Sequence, residues 1–189
     1  MQIRQITKQS IDQAIALYTE AFPKIERRPV AQWLDLWQTR NHFCIIEILS
    51  DDVFAGFISY WDFEDFIYIE HFATSKSLRG NGIGGKAIDT FKQSCQGKPV
   101  VLEVEMPTDD ISKRRIAFYN KHGFTLSELP YMQPAYRPCD APIELRIMST
   151  DPVFTTKGFD KVTGTIHQHV YGVKVKKIQH TFFCIKQYS

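Results

Sequence analysis

The sequence has no Cys-x-x-Cys pair, no cysteine beside histidine at metal-ligand spacing, no long apolar run and almost no net charge. Each absence removes a class of protein. Cys44, Cys95, Cys139 and Cys184 are too scattered for a zinc cluster or a disulfide framework, and read as reduced thiols of a cytoplasmic protein. The apolar runs fall far short of a membrane span, and residues 1–20 carry Asp12 and Glu20 without a cleavable signal pattern. A net charge of +2 is too weak to draw the chain to nucleic acid or to a membrane surface. What remains, 189 residues with 43% apolar and 23% charged side chains, is enough for one soluble domain with a proper core.

Glycine is sparse as well, ten in all, yet four of the ten fall in Gly80-Asn81-Gly82-Ile83-Gly84-Gly85, just after Arg79. The segment follows an apolar run and opens an amphipathic pattern. Glycines there let the main chain turn tightly and let a ligand reach the amides, while a helix start offers unpaired N–H groups and a positive dipole end. The combination suits a diphosphate or a similar anion. Three patterns overlap on it. Gly80-x-x-x-x-Gly85-Lys86 has most of a P-loop but carries Ala87 where a hydroxyl should hold magnesium. Gly80-x-Gly82-x-x-Gly85 satisfies the dinucleotide fingerprint, with Glu103 near the place of a ribose-binding acid. That fingerprint normally sits directly on its strand, whereas here Ser75 to Arg79 intervene. The third pattern, Arg/Gln-x-x-Gly-x-Gly/Ala, fits Arg79 to Gly84 without exception.

Along the rest of the chain, residues 2–7 read as a strand. Ser10 and Gln13 suggest a capping box for a helix with Ile11, Ala14, Ile15, Tyr18 and Phe22 on one face. Val30, Trp33, Leu34 and Trp37 mark a second helix. Three strand-like runs at 42–49, 53–61 and 66–74 are joined by short acidic turns, which implies antiparallel hairpins. A helix after the glycines, a strand at 100–105, a helix at 110–121, a strand at 124–129, a Pro- and Tyr-rich loop at 130–142 and a strand at 143–149 complete the main pattern. This predicts an α/β fold, a mixed sheet with helices on both faces. Asp151-Pro152 marks a boundary between residues 1–150 and an extension, 151–189. That extension holds a helical pattern weakened by Gly158 and Gly164, then strand-like runs at 173–176 and 182–185. It is too small for a core of its own, so it is expected to pack on the main domain or on a second subunit of a homodimer.

The Arg79–Gly84 loop resembles the acetyl-CoA pyrophosphate loop of the GCN5-related N-acetyltransferases. Two further segments carry the same resemblance. Ile67-Tyr68-Ile69-Glu70-His71-Phe72-Ala73-Thr74 is similar to the family's fourth strand. Ile116-Ala117-Phe118-Tyr119-Asn120-Lys121-His122-Gly123-Phe124 is similar to its C-terminal motif. Ser112 departs from the pattern, standing where the family often has asparagine. The resemblance covers residues 1 to about 150. It implies a mostly antiparallel sheet splayed between strands four and five, acetyl-CoA as cosubstrate, no metal, and direct acetyl transfer to a primary amine of a small molecule or peptide.

It also implies roles for residues. Phe72, Ala73 and Thr74 would offer their main chain to the pantetheine arm. Arg79, Gly80, Asn81, Gly82, Ile83, Gly84 and Gly85 would hold the diphosphate. Glu70, read as sharing a face with Phe72, is the first candidate base and Glu103 the second, because a carboxyl in a partly dry cleft has a raised pKa. Tyr119 matches the proton donor to the CoA sulfur. His71, read as facing away from Glu70, is expected to be a satisfied core histidine. The acceptor cleft would lie between the segment 23–28 and the loop 131–137, with Glu26, Arg28, Tyr131 and Tyr136 as candidates. Glutamates there favour a cationic acceptor and arginines a carboxylate, and the sequence leaves both open. Two other classes stay open too: a non-catalytic acyl-CoA-binding module and an NAD-type dinucleotide-binding domain.

Overall fold

A computed structural model of the chain describes residues 1–78 and 80–173. Arg79, Cys184 and the expected strand-like runs beyond Val173 lie outside the described residues. The first half is a meander. β1 (Gln2–Gln5) pairs antiparallel with β2 (Phe43–Ser50), β2 with β3 (Val53–Asp62), and β3 with β4 (Ile67–Thr74). The β2–β3 turn is only Asp51-Asp52, and both residues have positive φ, 51° and 62°. A two-residue hairpin whose twist matches its strands requires that geometry, and aspartate tolerates it better than most side chains.

Between β1 and β2 lie α1 (Ile11–Ala21) and α2 (Val30–Thr39). The Ser10–Gln13 box expected from the sequence does not form. Ser10 is already helical in φ and ψ and makes no side-chain cap. Thr7 and Ser10 instead bond reciprocally, Thr7 N–H to Ser10 Oγ at 3.1 Å and Ser10 N–H to Thr7 Oγ1 at 3.3 Å. The Ile11 and Ser10 amides also turn back to the Thr7 carbonyl. The capping thus sits three residues earlier in the chain, where two hydroxyls rather than one were available.

The second half adds β5 (Val100–Glu105), β6 (Thr125–Leu126), β7 (Tyr131–Gln133) and β8 (Ile143–Ser149), and is built around β8. The strands run β1-β2-β3-β4-β5-β8-β6, with β7 also on β8. β5 (Val100–Glu105) follows α3 (Ile83–Ser94) and pairs parallel with β4 and antiparallel with β8 (Ile143–Ser149). α4 (Asp110–Lys121) comes next, and its Asp109 cap bonds reciprocally with Ser112. The serine that departs from the family pattern is therefore spent on starting this helix. The strand expected at 124–129 is shorter, β6 (Thr125–Leu126), and the following loop contains an unforeseen strand, β7 (Tyr131–Gln133). β6 and β7 lie on the same edge of β8, at Ser149–Met148 and Leu145–Ile143. Two extra residues and Pro130, which has no N–H to give a ladder, interrupt what would be one strand.

Apolar side chains bury on both faces of the sheet. α3 and α4 cover one face with Ile83, Ala87, Ile88, Phe91, Ile116 and Tyr119. α1 and α2 cover the other with Ala14, Leu17, Tyr18 and Trp33. After a short 3₁₀ turn, α5 (Phe159–His169) joins this second face through Phe159, Val162 and Ile166, followed by Val170. Each buried Val, Leu, Ile or Phe among them contributes roughly 1.5–3 kcal/mol of transfer free energy, before ordering costs. No helix among the described residues is long and apolar enough to cross a membrane.

Candidate active site

β4 and β5 are in register only from Ile67–Val100 to Ile69–Leu102. Beyond that they part. β3 still pairs with β4 as far as Thr74, and β8 with β5 as far as Glu105. Each strand therefore keeps its outer ladder while its inner edge faces a gap. A cavity of about 500 Å³ occupies the gap, lined by Phe72, Ala73 and Thr74 of β4, Glu103 of β5, Gly84 of α3 and Tyr119 of α4. Main-chain groups without a ladder partner are a template for an extended ligand arm.

The glycine loop ends at this cavity. Gly82 is the N-cap of α3 with φ of 72°, a left-handed conformation that glycine adopts without strain. Lys86 is the first amide to bond back to Gly82, at 3.0 Å, so the amides of Ile83, Gly84 and Gly85 are unclaimed by the helix. Gly85 serves a different purpose: a Cβ there would lie 2.9 Å from the His122 ring, so its absence lets α3 and α4 approach closely. Amides that the helix leaves unpaired, beside a split sheet, fit a diphosphate joined to a linear arm.

Two carboxyls flank the gap, and their surroundings differ. β4 carries a bulge, because Ser59 opposes His71 while Tyr60 opposes Ile69, leaving Glu70 as the extra residue. The bulge turns Glu70 and His71 to the same face and Phe72 to the other. Strict alternation along the strand predicts the reverse for both pairs, and the extra residue overturns it. Glu70 points at Arg28 Nε, 2.8 Å from Oε1, and accepts from Trp61 Nε1 at 2.8 Å. Its side chain is wholly enclosed, so what it exposes is main chain. Burial alone would raise its carboxyl, but the Arg28 guanidinium, with donors from Trp61 and Tyr136, holds it below the usual carboxylate range.

Among the described residues, Glu103 has no cation in contact. It accepts from the Tyr131 hydroxyl, from Gln133 Nε2 at 2.6 Å and from the Tyr171 hydroxyl at 3.0 Å. Burial raises its carboxyl above the usual range, and these donors together with Tyr68 only partly oppose the rise. Tyr119 is buried against Phe118 and Phe124, and its hydroxyl makes no hydrogen bond among the described residues. Burial pushes it up to about 12, so it stays a protonated phenol at any ordinary pH.

The sequence matches the acetyltransferase (GNAT) family over residues 11–124, more than half of the chain. The chain belongs to the GNAT acetyltransferase family. A solved GNAT-family acetyltransferase chain from Bacteroides thetaiotaomicron is 35% identical and superposes with a TM-score of 0.87, covering 92% of this chain and all of that one. The acetyltransferase YjbC of Bacillus subtilis is 37% identical over 65 residues, a match that spans 33% of each protein. Arabidopsis thaliana Naa50, solved with the bisubstrate analogue CoA-Ac-MVNAL, shares the fold at 18% identity with a TM-score of 0.57, over 78% of this chain and 96% of that one. Acetyl transfer from acetyl-CoA is the reaction of the GNAT family.

In this GNAT chain the other sequence-derived candidates separate. Arg28 bonds Glu70 and the Val170 carbonyl and is buried, so it is structural to the cleft wall. Together with Trp61 and Tyr136 it also borders a second cavity of about 580 Å³, between α2 and the end of α5. Tyr131 sits on Glu103, while Tyr136 stacks near His71 and over Arg28. Glu26 is half-buried across from Glu105 and Arg115; burial first, then repulsion from Glu105, raises its carboxyl. His71 donates from Nε2 to the Glu26 carbonyl at 3.2 Å and accepts from Ser59 at 3.4 Å. Burial lowers its pKa to about 4, so it is neutral and ties β4 to the α1–α2 connection. Trp61, Gln133, Tyr68 and Tyr171 were missed in the sequence. Gln133 and Tyr131 alternate around Met132, which was the one available strand signal.

Proposed function

We propose that this protein transfers the acetyl group of acetyl-CoA to a primary amine by direct attack inside the β4–β5 gap. The observation that carries the reading is that gap itself, with α3 amides that the helix leaves unpaired at one end and, among the described residues, a carboxyl without a cation at the other. Acetyl-CoA, when bound, supplies an activated acetyl thioester. The amides from Gly80 to Gly85 would hold its diphosphate, with Arg79 adjoining, and the main chain of Phe72, Ala73 and Thr74 would hold the pantetheine arm. An amide near Ala73 would polarise the thioester carbonyl.

Glu103 is the better base of the two carboxyls, because its raised pKa lets it hold a proton taken from an alkylammonium, whereas Glu70 is neutralised by Arg28. Glu103 takes one proton from the ammonium, the neutral nitrogen attacks the thioester carbonyl to form the C–N bond, and the C–S bond breaks as Tyr119 delivers its proton to the departing sulfur. The second proton on the acylated nitrogen passes through water to the Tyr119 phenolate, and Glu103 releases its proton to solvent. On the acceptor side Arg27 bonds the Phe22 carbonyl, Arg28 bonds Glu70, and Arg137 bonds the Lys24 carbonyl and Asp140. With these three arginines engaged, and Glu103 without a cation in contact among the described residues, a cationic small-molecule or peptide amine is favoured.

The test follows CoA release from acetyl-CoA over a panel of monoamines, diamines, amino acids and peptides with free N-termini. Turnover of at least one amine, with dicationic members ahead, is the expected result. Unchanged turnover in both Glu103→Gln and Tyr119→Phe would remove this mechanism. A protein that fails to bind CoA at all would remove the function.

A further inference from the structure

The family match ends at residue 124, yet both carboxyls of the cleft are held from a segment far beyond it. Tyr171, just after α5, donates to Glu103 Oε2 at 3.0 Å. Its oxygen lies 3.3 Å from the Tyr68 hydroxyl, and its ring packs 5.1 Å from that of Tyr136. The preceding carbonyl, Val170, accepts from Arg28 Nη2 at 2.5 Å, and the same guanidinium holds Glu70. One turn earlier, His167 donates to the Met132 carbonyl at 3.1 Å and rests against Tyr131, a second donor to Glu103. α5 is in turn anchored by the burial of Phe159, Val162 and Ile166. Three successive contacts from one short segment thus lead to the same pair of acids.

We propose that Tyr171 is a positioning residue for Glu103, so that the chain beyond residue 150 completes the acceptor half of the acyl-transfer site. A carboxylate leaves water only if its lone pairs find donors. Around Glu103 those donors come from Tyr68 on β4, from Tyr131 and Gln133 on β7, and from Tyr171. Among the described residues, the nearby cations are otherwise engaged. Arg28 is held by Glu70, and Arg115 on α4 by Glu105, while Arg114 lines the cavity and bonds the Asp110 carbonyl. Tyr171 is the donor supplied from outside the sheet. Its removal makes Glu103 harder to ionise and leaves the carboxyl freer to turn from the gap. The consequence for catalysis rests on Glu103 being the proton acceptor; the positioning itself does not.

The experiment titrates the Glu103 carboxyl by carbon NMR in glutamate-labelled full-length protein, its signal assigned by loss in Glu103→Gln. In Tyr171→Phe, which keeps the ring in the core, the midpoint should rise by about one pH unit, the scale of a hydrogen bond to a charged group. Tyr136→Phe, whose hydroxyl serves Glu70, should move it much less. A Glu103 midpoint unmoved in Tyr171→Phe, or moved equally by Tyr136→Phe, overturns the proposal. A kinetic arm uses acetyl-CoA and the best amine of the panel. There the acid limb of kcat/KM should shift upward with the same sign, because only ionised Glu103 accepts a proton, while KM for acetyl-CoA stays constant. A titration that shifts beside an acid limb that does not would leave Tyr171 in place and reject Glu103 as the base.

Discussion

Glu70 on β4 and Glu103 on β5 stand on either side of one gap, both removed from water, and they are tuned in opposite directions. Glu70 has Arg28 in contact and is held ionised; Glu103 has tyrosines and a glutamine and is biased toward the neutral acid. The difference lies in the neighbours and not in burial, which presses both carboxyls the same way. One acid fastens the α1–α2 connection and the α5 end to the sheet. The other stays available to take a proton.

The largest expected effect follows from replacing the available acid. Glu103→Gln should lower acetyl transfer by about 10²–10⁴-fold, the usual range for a lost proton acceptor, with a thermal midpoint unchanged or higher. Its raised folded pKa favours the neutral form, so its share of stability is greatest below the unfolded value near ~4.3 and shrinks as pH rises through the folded one. Urea denaturation across pH should find that slope flattened in the variant. A large stability loss at neutral pH would erase the contrast between the two acids.

Glu70→Gln should do the opposite, costing about 3 kcal/mol near pH 7 by leaving Arg28 buried without its counter-charge. The depressed folded pKa means that Glu70's contribution is full above the unfolded value near ~4.3 and is lost as pH falls through the folded one. The deficit of the variant should therefore narrow in acid. Equal unfolding curves at neutral pH would count against the pair as a fastening.

Tyr119→Phe sharpens the comparison from the leaving-group side. It should lower kcat on the order of 10²-fold without changing KM for acetyl-CoA, and a rise in KM alone would make the ring a packing element. The smallest effect belongs to the loop. Gly82→Ala forces a side chain into left-handed φ, at roughly 1–2 kcal/mol, and should weaken CoA binding by calorimetry while leaving the acid limb in place.

Much of this was legible in advance. The glycines, the aromatic-Tyr pair before Gly123-Phe124 and the apolar period of each helix are local signals, and the helix expected at 110–121 forms over those residues. The faces of Glu70 and His71 were not legible, because the bulge depends on how β3 is laid against β4, and no residue in β4 announces it. β7 was hidden between Pro130 and Pro134, which read as a loop until β8 supplied an edge to pair with. The partners of Glu103 come from residues 68, 131, 133 and 171, separated by too much chain for any spacing rule to join.

The sequence by itself determined the glycine turn that starts α3, the order of most elements and the membership of the GNAT family, since these rest on backbone preferences and on patterns within a dozen residues. Which carboxyl is neutralised and which is left protonatable was decided by the tertiary structure alone. Ionisation responds to the nearest charges and donors in space, and here those arrive from β3, from β7, from the α1–α2 connection and from the end of α5.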